Sequence, residues 1–144
     1  MVSEMKTINS KSRTWLIILL TAYLLILLRI TVFRSNSYPT EMSVNLSLFT
    51  DLVATYHENG IWMVLYLVVG NIVWFVPFGF LLPAIWQKLK SYHTIPLGFL
   101  LSLIIETSQL IFNKGMFEID DLVLNTLGTA IGCLIYKIYR DFRK

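Results

Sequence analysis

The sequence contains four long apolar runs, and the third carries a glutamate and a glutamine near its centre. Residues 102–112 read SLIIETSQLIF, which places Glu106 and Gln109 among leucines and isoleucines. A charged side chain at the centre of a membrane helix costs about 2.5–3.5 kcal/mol on insertion scales. Acids at that depth mark ligand, ion or proton sites. Glu106 is therefore a candidate site residue, either as a hydrogen-bonding group or as a general acid or base.

Polar and small residues recur with helical spacing in the third and fourth runs. In the third run they are separated by four, three and four residues: Ser102, Glu106, Gln109 and Asn113. The fourth run repeats that spacing with Asp121, Asn125, Gly128 and Gly132. Each set therefore lies on one face of a helix. We expect these two faces to pack against each other, because the G-x-x-x-G step lets a neighbouring helix approach closely.

Polar residues of the other runs are expected at the same end of the bundle. The first run carries Arg29 in its last turns, the second carries Asn71, and the fourth begins with two aspartates. A kink or a close contact is expected around Gly70, Pro77 and Gly79. The predicted ligand-binding residues are Arg29, Asn71, Glu106, Gln109, Asp120, Asp121 and Asn125.

Each of these residue types also has a purely structural role. The two aspartates are suited to the positive end of the fourth helix dipole. Arg29 has the length to reach lipid headgroups instead of Glu106. Amides commonly hold membrane helices together through hydrogen bonds. The sequence leaves these alternatives open.

Composition places the chain in a membrane. Hydrophobic residues make up 56% of the 144 residues and charged ones only 15%, against about 25% charged in soluble domains. A membrane-spanning helix needs about 20 apolar residues. We predict an all-α polytopic protein, a bundle of four transmembrane helices at about 14–33, 61–83, 94–113 and 121–139. The first run is expected to be a retained helix, since it is long for a signal peptide and no small-residue cleavage site follows it.

Lysines and arginines give the orientation. They concentrate before the first run, in the second connection and in the tail: Lys6, Lys11, Arg13, Lys88, Lys90, Lys137, Arg140, Arg143 and Lys144. Both termini are therefore expected in the cytoplasm, with a cytoplasmic segment at 1–13, a membrane domain at 14–139 and a basic tail at 140–144. The polar residues above then lie in the outer half of the membrane. The single cysteine, Cys133, excludes an internal disulfide.

The first outer loop has two interpretations. Apolar residues at Leu48, Phe49, Leu52, Val53 and Tyr56 follow a helical period. Residues 50–51 are suited to starting a helix and residues 59–60 to ending it. A short amphipathic helix on the outer leaflet fits this pattern. An ordinary loop over the bundle fits equally.

Three segments together resemble the VanZ-like family of small bacterial membrane proteins. They are residues 71–83 (NIVWFVPFGFLLP), residues 102–112 with Glu106 and Gln109, and residues 117–132 (FEIDDLVLNTLGTAIG). The chain departs from many relatives at Met116, where they carry a basic residue, and in VNLSLF, which lacks their proline. The resemblance implies a bacterial cytoplasmic-membrane protein contributing to tolerance of glycopeptides, teicoplanin in particular.

Two mechanisms and one remoter possibility remain. We favour a protein that binds its ligand without a cofactor or metal. Its partners would be membrane lipids, a lipid-linked envelope precursor or a lipoglycopeptide. Oligomers are compatible with this mechanism, and nucleic acid is not an expected partner. The alternative is a membrane-embedded enzyme in which Glu106 is the acid or base and Asp120, Asp121 or both hold a hard cation. A small transporter is less favoured. His57 and His93 both lie in connections, which argues against a histidine-based catalytic set.

Overall fold

The computed structural model describes residues 8–32 and 44–142. The helices are α1 (Ser10–Thr31), α2 (Thr50–Asn59), α3 (Ile61–Ile85), α4 (Ser91–Ile111) and α5 (Ile119–Phe142), and the strands are β1 (Val44–Asn45) and β2 (Phe117–Glu118). Within these residues, α1, α3, α4 and α5 are long and apolar enough to cross a membrane. The predicted all-α fold with four transmembrane helices is confirmed. The predicted end of the first span at residue 33 lies outside the described residues.

The residues at the helix ends explain where the shorter elements begin and stop. α2 follows Phe49, which has a left-handed backbone (φ 61°), and it ends at Gly60 (φ 78°). The first outer loop therefore contains a short helix, which was one of its two interpretations. α4 ends at Ile111, and Asn113 adopts φ 52° with an exposed side chain. Asn113 is thus past the helix end, and the prediction that it shares the polar face of α4 was wrong.

The four long helices alternate in direction. The backbone N–H of Ile8 lies 3.5 Å from Oε1 of Gln87, so α1 begins where α3 ends. At the other end, Nε2 of Gln109 donates to the carbonyl of Thr31, so α1 and α4 end together. We call this second end the polar end. The opposite end is called the basic end, because it carries Arg13, Lys88, Lys90 and Arg140.

Apolar side chains pack α1, α3 and α4 together. Two groups of buried residues form this core: Leu20, Phe78, Leu81 and Ile85 in one, and Leu27, Val32, Phe75 and Ile105 in the other. The Tyr23 hydroxyl also donates to the carbonyl of Trp74 at 2.6 Å. Much of the outer surface is apolar too, as at Trp15 and Phe142. Such a surface matches lipid and not water.

Backbone contact joins α3 and α5. A Cβ atom added to Gly128 would meet the carbonyl of Ile72, and one added to Gly132 would meet that of Val76. From the side of α3, a Cβ atom added to Gly79 would meet the carbonyl of Thr129. The close approach expected of the G-x-x-x-G step is confirmed.

The helix that packs against this step was predicted wrongly: Gly128 and Gly132 pack against α3 and not against α4. The reason is that Gly132 lies directly against Gly79 of α3, so that both backbones approach. Gly98 of α4 also faces α5, but it meets the side chain of Thr129 and not the backbone.

We expect Gly128→Ala to destabilise the protein by about 1–3 kcal/mol, as overpacking does. The added methyl group would press on the carbonyl of Ile72, which cannot turn away like a flexible side chain. Thermal unfolding of the purified protein in detergent measures the effect.

Gly70→Ala in α3 is the matched control, because an added Cβ there meets no heavy atom within 4 Å. That change should be neutral or stabilising by about 0.5–1 kcal/mol, since alanine favours helix. Equal melting temperatures for the two variants would contradict the α3–α5 packing.

Candidate functional site

Glu106 is buried at the polar end of α4. Its side chain is 2% exposed, and Oε2 accepts the backbone N–H of Glu118 at 3.2 Å. A carboxyl group removed from water needs such donors, because an unpaired buried charge is strongly unfavourable. β2 therefore lies against Glu106 and supplies the donor that its position demands.

Asp121 links α5 to α3. It lies in the first turn of α5, and one of its oxygens accepts a hydrogen bond from Nδ2 of Asn71. The close backbone approach of α3 and α5 is what brings this pair together. Asp121 is also near enough for its charge to act on Glu106 and on Glu118. Three carboxyl groups from two helices and a strand therefore share one region.

A second polar pair joins α4 and α5. Nδ2 of Asn125 donates to the Ser102 hydroxyl at 2.9 Å, and these residues are 4% and 0% exposed. Asn125 lies one turn below Asp121, and Ser102 one turn below Glu106, so the pair extends the same region deeper into the bundle. We call the whole group the polar cluster: Asn71, Ser102, Glu106, Glu118, Asp121 and Asn125.

Asp120 points to a different partner. It is 5% exposed, and its Oδ1 and Oδ2 lie 2.8 and 3.0 Å from the backbone N–H of Phe49, which donates to them. That donor immediately precedes α2. Asp120 thus fixes the start of α2 to the start of α5.

A short parallel ladder makes a second connection at the same place. Val44 pairs with Phe117 and Asn45 with Glu118, while Nδ2 of Asn45 donates to Asp51 in the first turn of α2. We call residues 44–59, which comprise β1 and α2, the strap. The strap lies beside β2, and β2 in turn lies on Glu106.

The predicted site residues fall into two groups. Four of the seven belong to the polar cluster: Asn71, Glu106, Asp121 and Asn125. The other three have different surroundings, although the charge of Asp120 still acts on Glu118 and Asp121 of the cluster. Gln109 donates to the carbonyl of Thr31 at 3.3 Å and so joins α4 to α1, Asp120 holds the strap, and the Arg29 side chain is exposed on α1. Ligand binding by all seven stays a prediction.

Glu118 and Ser102 were not among the predicted ligands. Glu118 precedes Asp120 and Asp121 by two and three residues, and that run of acids was the signal for it. Ser102 was placed on the polar face of the third run and assigned to helix packing. Its burial beside Asn125 puts it in the cluster.

Glu118 lies outside the spans, and its surroundings oppose its ionisation. Burial raises its pKa from 4.5 to about 7, with further contributions from the negative charges of Asp121, Asp51 and Asp120. Glu118 therefore changes charge near neutral pH. Its side chain is a hydrogen-bond donor when protonated and an acceptor alone when ionised.

The cluster presents mainly hydrogen-bond acceptors. Carboxylate and amide oxygens accept from hydroxyl, amide and ammonium groups, and the amide nitrogens add donors. Among residues 8–32 and 44–142, no group of three or more histidine, cysteine, aspartate or glutamate residues is arranged to hold a metal ion.

We expect the stabilising effect of Glu118→Gln to grow as pH rises from about 4.5 to about 7. Because the pKa of Glu118 is higher in the native protein, the unfolded chain loses this proton at lower pH than the native state does. The free energy of unfolding of the parent protein therefore falls through this window, while that of the amide variant has no such contribution. Thermal unfolding in detergent at about pH 5 and about pH 8 measures the difference between the two proteins. A constant difference across this range would contradict the electrostatics described here.

Comparison with known proteins gives the chain its relatives. The family model described as VanZ/LLP1 matches residues 16–140. Protein VanZ of Enterococcus faecium is 32% identical over 68 residues, a match that covers 47% of this chain and 42% of that relative. The match thus spans less than half of the relative's length. No solved structure matches the chain.

The matched family segment covers α3, α4, β2 and most of α1 and α5. It therefore contains the whole polar cluster and the four helices that can cross a membrane. The chain belongs to the VanZ/LLP1 family, as a multi-pass membrane protein built on four apolar helices.

Proposed function

We propose that this protein binds the headgroup of a lipid or lipid-linked envelope component in the polar cluster, and that it thereby contributes to tolerance of glycopeptides such as teicoplanin. The observation that carries the proposal is the convergence of five polar side chains from three helices inside an otherwise apolar bundle, with Glu118 of β2 beside them through its backbone N–H.

The charge content of the cluster favours a ligand over helix packing. Interhelical hydrogen bonds in membranes average about 0.6 kcal/mol, and serine and asparagine are sufficient to make them. Glu106, Glu118 and Asp121 add neighbouring carboxyl groups whose charges repel each other. A protein that needed only helix association would gain nothing from this repulsion. A headgroup bearing hydroxyl, amide or ammonium donors would give these oxygens partners.

The proposed orientation places the polar end outside the cell. Arg13, Lys88, Lys90 and Arg140 lie at the basic end, and cytoplasmic ends of membrane proteins are enriched in such residues. Both termini are then cytoplasmic, and the membrane is the bacterial cytoplasmic membrane. The cluster faces the leaflet in which externally exposed envelope precursors and lipoglycopeptides are found.

The link to glycopeptides comes from the family. The resemblance to VanZ-like proteins implies tolerance of teicoplanin, and Protein VanZ is the relative that the chain matches. Teicoplanin bears a lipid tail, so it can partition into the outer leaflet where the cluster is proposed to open. We therefore expect stronger tolerance of teicoplanin than of vancomycin.

A membrane-embedded enzyme is the second candidate. The observation in its favour is that α4 and α5 bring the carboxyl groups of Glu106 and Asp121 into one region of the bundle. Neighbouring carboxyl groups can supply an acid or base that acts on a lipid-linked substrate.

Replacing Glu106 separates these two functions. If Glu106 binds by accepting hydrogen bonds, Glu106→Gln should keep most of the tolerance, while Glu106→Ala should reduce it to the level of a strain lacking the protein. Loss in both variants would favour proton chemistry or a required charge. The measurement is the minimum inhibitory concentration of teicoplanin and of vancomycin, with the membrane abundance of each variant checked.

Thr107→Ala is the matched control, because Thr107 is the next residue of α4 and its side chain is exposed. This variant should keep full tolerance. If both Glu106 variants also keep full tolerance, the polar cluster is not the site.

A further inference from the structure

The strap is attached to the bundle through the N–H of Phe49 on Asp120 and through the β1–β2 ladder. The Asn45–Asp51 hydrogen bond joins β1 to α2 within the strap itself. α2 itself has no buried residue. An element with so few buried contacts is among the least stable parts of a fold. The bundle therefore covers little of the surface of α2.

The other side of the strap is apolar and exposed. Phe49 immediately precedes α2, and Val53 and Tyr56 lie three residues apart within it, so these two share one face. The exposed fractions of the three side chains are 49%, 54% and 52%. The opposite face carries Ala54 and Glu58, which are also exposed. The apolar face is thus a stripe one residue wide on a helix of ten residues.

The apolar stripe of α2 is followed closely along the chain by the exposed start of α3. Gly60 alone separates α2 from α3. The first turns of α3 expose Trp62 and Tyr66, at 80% and 72%. Tryptophan and tyrosine concentrate where membrane helices meet the headgroup layer. α2 is therefore joined directly to a part of α3 whose exposed aromatic residues suit the headgroup layer.

We propose that the strap is a lipid-anchored cover: its apolar side binds the boundary between headgroups and acyl chains, and its other side holds β2 over Glu106. An amphipathic helix in that boundary buries its apolar stripe while its polar face stays wet. The ladder connects the anchored strap to β2, and the hydrogen bond of Asp120 connects it to the start of α5. Asp120 is, on this account, a residue that positions the strap and not one that binds the ligand.

The cover has a consequence for the cluster. Glu106 is 2% exposed beneath β2, so a headgroup reaches it only after the strap and β2 have moved. The binding of a headgroup rests on the proposed function. The lipid contact and its coupling to β2 do not, and they are tested without any antibiotic or headgroup.

Lipid contact is measured with a fluorescent label. In a Cys133→Ala background, Val53→Cys and Glu58→Cys are each labelled with an environment-sensitive nitrobenzoxadiazole and placed in phosphatidylcholine nanodiscs. The label at residue 53 should show a blue-shifted emission. It should also be quenched by lipid that carries a spin label near the glycerol end of its chain. The label at residue 58 should behave as it does in water. Equal, water-like emission at both positions would overturn the proposal.

A second copy of this chain is the competing occupant of the stripe. In that case the label at residue 53 would be blue-shifted yet insensitive to spin-labelled lipid, and its emission would change when nanodiscs holding one copy replace those holding two. This outcome would also overturn the lipid-anchored cover.

Coupling is measured by hydrogen exchange of the full chain in the same nanodiscs. Val53→Asp removes the centre of the stripe, and exchange in peptides containing Phe49 and Glu118 should rise about fivefold, the change expected when part of a valine's transfer free energy is lost. Ala54→Asp introduces the same residue one position along, on the other face, and should leave both peptides unchanged. Equal exchange in the two variants would overturn the coupling. It would leave the tolerance assay with Glu106 as a separate question.

Discussion

Backbone contact between α3 and α5 is the interaction on which the rest of the structure depends. Gly128 and Gly132 bring α5 onto the carbonyls of α3, and Gly79 lets α3 approach in return. Because the helices are this close, short side chains suffice to join them, and Asn71 reaches Asp121. A larger distance between α3 and α5 would leave the carboxyl group of Asp121 without the hydrogen bond from Asn71. The packing of small residues thus decides where the polar groups meet.

The carboxyl groups at the polar end are divided between two tasks. Asp120 is taken up by the strap, through the N–H of Phe49. Within residues 8–32 and 44–142, Glu106 accepts the N–H of Glu118 and Asp121 accepts from Asn71. A carboxylate has about four acceptor sites, so each group has more of them than this one bond uses. Adjacent acids in sequence therefore have different partners: Asp120 accepts from Phe49 and Asp121 from Asn71.

The sequence predicted the features that depend on local pattern. The four spans follow from hydropathy and period, and the burial of Glu106 follows from its apolar neighbours. α2 was one of two interpretations that the sequence left open. Features that depend on distant contacts were missed. The partner of Asp120 is a backbone N–H separated from it by 71 residues, and strands of two residues such as β1 and β2 carry no periodic signal. The choice of α3 over α4 as partner of the glycines depends on Gly132 lying against Gly79, whereas Gly98 of α4 meets the side chain of Thr129. Spacing alone does not fix either contact.

The central claim is that polar side chains of separate helices act together in one cluster, and the pair Asn71 and Asp121 tests it most directly. Unfolding free energies in detergent are measured for the parent, Asn71→Ala, Asp121→Ala and the double variant. A coupling free energy of about 1 kcal/mol is predicted, within the range found for hydrogen bonds between membrane helices. Effects that add to within about 0.3 kcal/mol would contradict the account, since residues without contact behave in that way.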